Sequence, residues 1–106
     1  MSVPVIHVED LKARCDAGKR PFILDVREPH EYQQCNLGGV LIPLNTLPAR
    51  LHELDPNCEI VVHCRSGARS AKAVEFLQAN GFKNVKNLAG GILAWSAKVD
   101  PSMPQY

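Results

Sequence analysis

An α/β fold, with a small central parallel sheet of about five strands and helices on both faces, is predicted by three observations. Short apolar or β-branched runs alternate with stretches of helical spacing along the chain. One of these runs, Ile60-Val61-Val62-His63, has the composition of a strand buried on both faces. The length, 106 residues, suits one domain over 1–106, with a tail at 100–106 and room for one core.

The elements follow in order. Residues 3–7 read as a first strand, and 8–17 as a helix with Val8, Leu11 and Cys15 on its inner stripe and Gly18 as its stop. Cys15 is then a small core residue. Phe22-Ile23-Leu24-Asp25 is a second strand that ends on a carboxylate. Pro29 fits the first turn of a short helix over 29–34, with Glu28 and Glu31 near its positive end. Val40-Leu41-Ile42 is a third strand, halted by Pro43. Residues 47–54 read as a helix with Pro48 near its start and Leu47, Leu51 and Leu54 facing inward.

Asp55-Pro56-Asn57 turns the chain into the strand 60–63. Helix formers resume at Ala68, with Ala71, Val74 and Leu77 or Gln78 at helical spacing, and Asn80-Gly81 ends them. Val85-Lys86-Asn87-Leu88 is the last strand. Gly90-Gly91 then permits a tight turn into a helix over 92–99, closed by Asp100-Pro101. Trp95 on that helix reads as core, with an exposed platform as the alternative.

Between the strand 60–63 and the helix from Ala68 sit Cys64, Arg65, Ser66 and Gly67. A cysteine there lies where backbone N–H groups and the positive end of a helix dipole converge, which favours thiolate over thiol. Arg65 and Arg69 act in the same direction, and the loop is a cradle for an anion beside the sulfur. An ordinary buried strand-end cysteine is the alternative. In open α/β sheets the ligand crevice lies at the carboxyl ends of the strands, so Asp25 and Cys64 are expected on one rim. Asp25, Arg27 and Glu31 read as an ion-pair and capping network rather than as catalytic groups, and Tyr32 as a packed aromatic with a bonded hydroxyl. His63 points to the face opposite Cys64 and reads as a hydrogen-bonded buried histidine in preference to a general base.

Three segments together resemble the rhodanese-like domains. Cys64-Arg65-Ser66-Gly67-Ala68-Arg69 is similar to that family's single-cysteine loop running into a helix. Asp25-Val26-Arg27-Glu28-Pro29-His30-Glu31-Tyr32 resembles its DVR-x-x-x-EY segment. Asn87-Leu88-Ala89-Gly90-Gly91-Ile92-Leu93-Ala94-Trp95 is similar to its L-x-GG ending. The resemblance implies a thiosulfate sulfurtransferase or persulfide carrier with Cys64 as nucleophile and with Arg65, Ser66, Gly67, Ala68 and Arg69 holding the substrate. Asp25, Arg27 and Ser70 would support the loop. It implies no cofactor and no metal. The donor would be a small thiosulfate-like anion or a persulfidated cysteine desulfurase. The tail, through Val99-Asp100-Pro101 to Pro104-Gln105-Tyr106, is similar to the end of the rhodanese-like domain fused behind adenylyltransferases of the ubiquitin-activating type. That likeness implies a small sulfur-carrier protein with a Gly-Gly terminus as acceptor. The family's usual Gly-His-Ile turn is replaced by Cys35-Asn36-Leu37, which adds a thiol at Cys35 that is either incidental or resolving.

Composition narrows the alternatives. A net charge of +1 gives no support to nucleic-acid or membrane-surface binding. No apolar run is long enough to span a membrane and the N-terminus lacks a signal pattern, so a cytoplasmic location is expected. Cys15, Cys35, Cys58 and Cys64 lack paired spacing and are expected reduced. Cys58, His63 and Cys64 do not make a zinc set, because neighbouring strand residues point to alternate faces. A cysteine-dependent phosphatase is a second reading, since His63-Cys64 precedes Arg69-Ser70. Only four residues separate Cys64 from Arg69, however, one fewer than a phosphatase cradle has. A non-catalytic binding module is the third, weakened by retention of the cysteine, the glycine and both arginines.

Overall fold

The computed structural model describes residues 3–105; Met1, Ser2 and Tyr106, the last of which closes the tail motif, lie outside it. Its centre is a five-stranded sheet in the order β1-β5-β4-β2-β3, parallel throughout. The strands are β1 (Val5–Ile6), β2 (Phe22–Asp25), β3 (Val40–Leu41), β4 (Ile60–His63) and β5 (Val85–Leu88). The helices are α1 (Val8–Asp16), α2 (Pro29–Gln34), α3 (Ala68–Ala79) and α4 (Gly91–Lys98), with a 3-10 helix at Leu44–Glu53.

The strand pleat sorts the core into two layers. Leu24, Ile60, Val62 and Cys64 belong to one cluster, packed with Ala73, Val74 and Leu77 of α3 and with Leu47 of the 3-10 helix. Ile23, Val61 and Leu88 belong to the other, packed with Val8 and Leu11 of α1 and with Trp95 of α4. All four residues of β4 are buried, as a central strand covered on both faces requires. Trp95 and Cys15 are both half-buried and pack against the second layer.

Several elements differ from the sequence reading: β1 covers only Val5–Ile6 of the expected 3–7, and β3 only Val40–Leu41 of the expected Val40-Leu41-Ile42. The segment expected as a helix over 47–54 begins earlier and winds as a 3-10 helix. Pro48 removes a donor and disfavours α geometry at Leu47, and the pairs Leu44/Leu47 and Leu51/Leu54 repeat at the three-residue spacing of that tighter coil. On α3 the buried face is Ser70, Ala73, Val74 and Leu77; Ala71 is half-buried and Gln78 exposed. A hydroxyl takes an inward position that an apolar pattern assigns to its neighbour.

β2 ends on a buried ion pair. Asp25 and Arg27 are both 0% exposed, with Nε to Oδ1 at 2.9 Å and Nη2 to Oδ2 at 2.7 Å. Arg27 Nη2 also donates to the Cys35 carbonyl at 2.7 Å, and the Arg27 N–H donates to Asp25 Oδ1 at 3.0 Å. The pair thereby ties the end of β2 to the end of α2. His63 is buried against it, its Nε2 at 3.6 Å from Asp25 Oδ2.

Removing one partner of such a pair leaves an uncompensated charge in the core. Arg27→Ala is therefore expected to cost about 3–5 kcal/mol in urea denaturation, and the double variant Asp25→Leu/Arg27→Met to recover most of it. A loss under about 1 kcal/mol for Arg27→Ala would show that the pair does not brace the fold.

Candidate active site

Cys64 follows directly on β4, and α3 starts four residues later. The loop between them folds inward because Gly67 takes φ +114°, a left-handed conformation suited to glycine. Four donors then reach the sulfur, the Ser66 N–H among them. The Gly67 N–H lies 3.1 Å from Cys64 Sγ, the Ser70 N–H 3.4 Å and the Ser70 hydroxyl 3.3 Å. Burial raises the Cys64 pKa, but the hydrogen bonds from the Ser70 hydroxyl and from the Ser70, Gly67 and Ser66 N–H groups outweigh it. The net result is a thiol more acidic than an ordinary cysteine.

A backbone whose N–H groups face the sulfur turns its carbonyls outward, and those carbonyls need donors. The first turn of α4 supplies them. Ile92 N–H donates to the Cys64 carbonyl at 3.0 Å and Leu93 N–H to the Arg65 carbonyl at 3.1 Å. This contact explains Gly91, where a Cβ would stand 2.5 Å from the Arg65 oxygen and 2.7 Å from the Cys64 oxygen, at φ +60°.

Asn87 on β5 completes the frame. Its Nδ2 donates to the Gly67 carbonyl at 3.1 Å, and its Oδ1 lies 2.5 Å from the Ser70 hydroxyl. Ser70 has one hydroxyl proton and three acceptors in range: Asn87 Oδ1, the Gly67 carbonyl and Cys64 Sγ. The sequence reading took Asn87 for an ordinary strand residue. Its register opposite Val62, beside the nucleophile's strand, is the signal that could have found it.

The residues expected at the site fall into separate groups. Ser66 and Gly67 turn their N–H groups to the sulfur, and Ser70 adds both its N–H and its hydroxyl. Arg65, Ser66 and Ala68 are exposed on the outer side of the loop. Arg69 reaches across to α2 and forks onto Glu31, with Nη1 to Oε1 at 2.7 Å and Nη2 to Oε2 at 2.9 Å. Glu31 is thus more than a helix-end carboxylate, and the arginine fork, against the cost of burial, holds its pKa down at about 2. Asp25 and Arg27 sit at the neighbouring strand end and bond to each other. His63 is fully buried, burial pushes its pKa down, and its Nδ1 lies 3.3 Å from the Cys64 carbonyl oxygen. A neutral imidazole on the far side of the strand has no path to the sulfur. Tyr32 donates its hydroxyl to the Gly39 carbonyl at 2.8 Å, as a packed aromatic should. The Cys35 thiol is buried and lies 3.4 Å from the Pro104 carbonyl of the tail.

A protein-family model, the rhodanese-like domain, matches residues 7–98. A sulfurtransferase of Allochromatium vinosum is 36% identical over 86% of this chain and 86% of its own length. An adenylyltransferase and sulfurtransferase of Arabidopsis thaliana is 37% identical over 95% of this chain, which spans 25% of that protein. YrkF of Bacillus subtilis, provisionally named a sulfur carrier protein, is 39% identical over 93% of the chain, which spans about half of it, 54%. Among solved structures, a rhodanese-related protein of Thermoplasma volcanium superposes with a TM-score of 0.81 at 33% identity, covering 91% of this chain and 93% of that one.

Because Ser70 bonds to the sulfur from both its N–H and its hydroxyl, Ser70→Ala should move the pH midpoint of Cys64 alkylation by iodoacetamide upward, with little change in the circular dichroism spectrum. An unmoved midpoint would mean that the hydroxyl proton stays on Asn87. Gly91→Ala should lose about 2–4 kcal/mol in denaturant titration and slow Cys64 alkylation as well, since one clash disturbs helix docking and cradle together. Lost stability with undiminished alkylation would separate the two.

Proposed function

The chain belongs to the rhodanese-like family of sulfurtransferases and sulfur carriers, and from that footing we propose that it carries sulfane sulfur as a persulfide on Cys64. The observation that carries this reading is the convergence of N–H and hydroxyl donors on one acidic sulfur. In the loading step the Cys64 thiolate attacks the outer sulfur of the donor. A bond forms between Sγ and that sulfur, the donor's S–S bond breaks, and its electron pair leaves with sulfite or with a donor thiolate. The product is Cys64–S–S⁻ from thiosulfate, or Cys64–S–SH from a protonated persulfide.

Both nucleophile and leaving group are soft anions of low basicity, so no general base is required and His63 has no part to play. Discharge repeats the chemistry in the other direction. An acceptor thiolate or another soft nucleophile attacks the outer sulfur, and the electrons of the S–S bond return to Cys64. The amides that hold the thiolate are also suited to the anionic persulfide, whose charge lies one atom further out. Arg65 at the rim and the loop amides from Ser66 to Arg69 form the substrate side of the site in this reading.

Cys64 is 1% exposed, which favours a terminal sulfur atom over a bulky phosphoryl group and agrees with the short loop counted in the sequence. The donor is thiosulfate or a persulfide on another protein, such as a cysteine desulfurase. The acceptor is a thiol or a small sulfur-carrier protein. An acceptor with a Gly-Gly terminus is proposed from the resemblance of the tail noted in the sequence, and the Arabidopsis thaliana relative is likewise named an adenylyltransferase and sulfurtransferase. The proposed working compartment is the reducing cytoplasm, where Cys15, Cys35, Cys58 and Cys64 would stay as the free thiols they are here. Among the described residues no helix is long and apolar enough to cross a membrane.

Incubation with a sulfane-sulfur donor in the absence of reductant should raise the intact mass by one sulfur atom, and added cyanide should remove it. Cys64→Ser should abolish the rise. A sulfur adduct that persists in Cys64→Ser would move the carrier to another cysteine, and Cys64-dependent hydrolysis of aryl phosphates would restore the phosphatase reading.

A further inference from the structure

Whether the cradle prefers a highly charged or a weakly charged sulfur donor turns on where its charges end, a question that rests on the sulfur-transfer reading above. Arg69 leaves the first turn of α3 and spends both arms of its guanidinium on Glu31. Glu31 is held further within α2, because Oε1, which accepts from Arg69 Nη1, also accepts the Glu28 N–H at 3.0 Å in the capping box. The Glu31 side chain is only 8% exposed. Arg69 cannot swing to an incoming anion without leaving that carboxylate buried and unpaired, which is costly. Arg27 is committed in the same way to Asp25. Within the loop, Arg65 is exposed and makes no ion pair among the described residues.

The charges next to the sulfur therefore balance before any donor arrives. The Cys64 thiolate and the Glu31 carboxylate cancel Arg65 and Arg69. Neutral N–H and hydroxyl donors, and no cation, hold the thiolate itself. Binding thiosulfate would take this neutral site, in which the thiolate is already counted, to a net charge of two minus. Binding a protonated persulfide leaves the site neutral, and the charge of the thiolate departs as R–S⁻.

We propose that the Glu31–Arg69 pair makes the cradle selective for sulfane-sulfur donors of low charge, persulfides of the R–S–SH type, over the thiosulfate dianion, with Glu31 the specificity-determining residue. Glu31 acts by neutralising Arg69, so removing its charge while keeping its oxygen returns a cation to the cradle. The chemical step is the one written above for either donor; the pair alters only how much charge the site can accept.

The test compares second-order rates of Cys64 loading from thiosulfate and from 2-hydroxyethyl persulfide, in the unaltered protein and in Glu31→Gln. The glutamine keeps an acceptor for the Glu28 N–H. The ratio of thiosulfate rate to persulfide rate should rise about tenfold in Glu31→Gln, the effect of one unscreened charge a few ångströms from a dianion. A ratio that is unchanged or lowered, with Cys64 still loaded, overturns this inference and leaves sulfur transfer standing. No loading from either donor overturns both. Should Glu31→Gln not fold, the unaltered protein decides: its thiosulfate rate should fall less than about threefold between low and high salt, because the cradle is neutral, and a larger fall overturns the proposal.

Discussion

An anion-binding loop has a requirement that its ligand conceals. Amides cannot all face inward unless the carbonyls alternating with them are accepted by something outside. Here the outside partner is the N-terminus of α4, whose unpaired N–H groups meet the carbonyls of Cys64 and Arg65. The orphan donors of one helix thus satisfy the orphan acceptors made by the turn into another. Neither helix end needs a side-chain cap, and in both the residue at the capping position is a glycine, Gly67 for α3 and Gly90 for α4. The acidity of the sulfur and the position of α4 are two results of one backbone arrangement.

The buried Asp25–Arg27 pair serves the same site from the other side. It joins the end of β2 to the end of α2, and α2 carries Glu31, which grips Arg69 on α3. A line of charge-assisted bonds therefore runs from the sheet through a six-residue helix to the cradle. A helix that short has little stability of its own. Pro29, the capping box and these bonds hold it in place.

Most of the architecture was legible in the residues because most of it is decided locally. The runs at β2, β4 and β5 are bounded by turn residues, and Pro29 with Glu28 and Glu31 marks the start of α2 without ambiguity. The cradle was legible for the same reason, since strand, cysteine, glycine and helix are contiguous. What escaped was long-range. Asn87 is 20 residues from Gly67 in the chain, and Arg69 is 38 from Glu31. Nothing in the spacing says that Arg69 would be claimed by a carboxylate instead of facing solvent. The 3-10 winding around Pro48 and the inward turn of Ser70 were also hidden, because both depend on what the element packs against and not on its own pattern.

The strand order carries a consequence for assembly. β4 pairs with β2 on one side and β5 on the other, so the segment that bears Cys64 gains its neighbours from both halves of the chain. Parallel pairing needs crossovers, whose long loops must close before the strand contacts reward them. Asn87 and the α4 N-terminus, which finish the frame around the sulfur, lie more than 20 residues beyond Cys64. The amides that face the sulfur are local to the loop, but the groups that hold their carbonyls lie on β5 and α4, so the setting of the thiol depends on contacts made far along the chain.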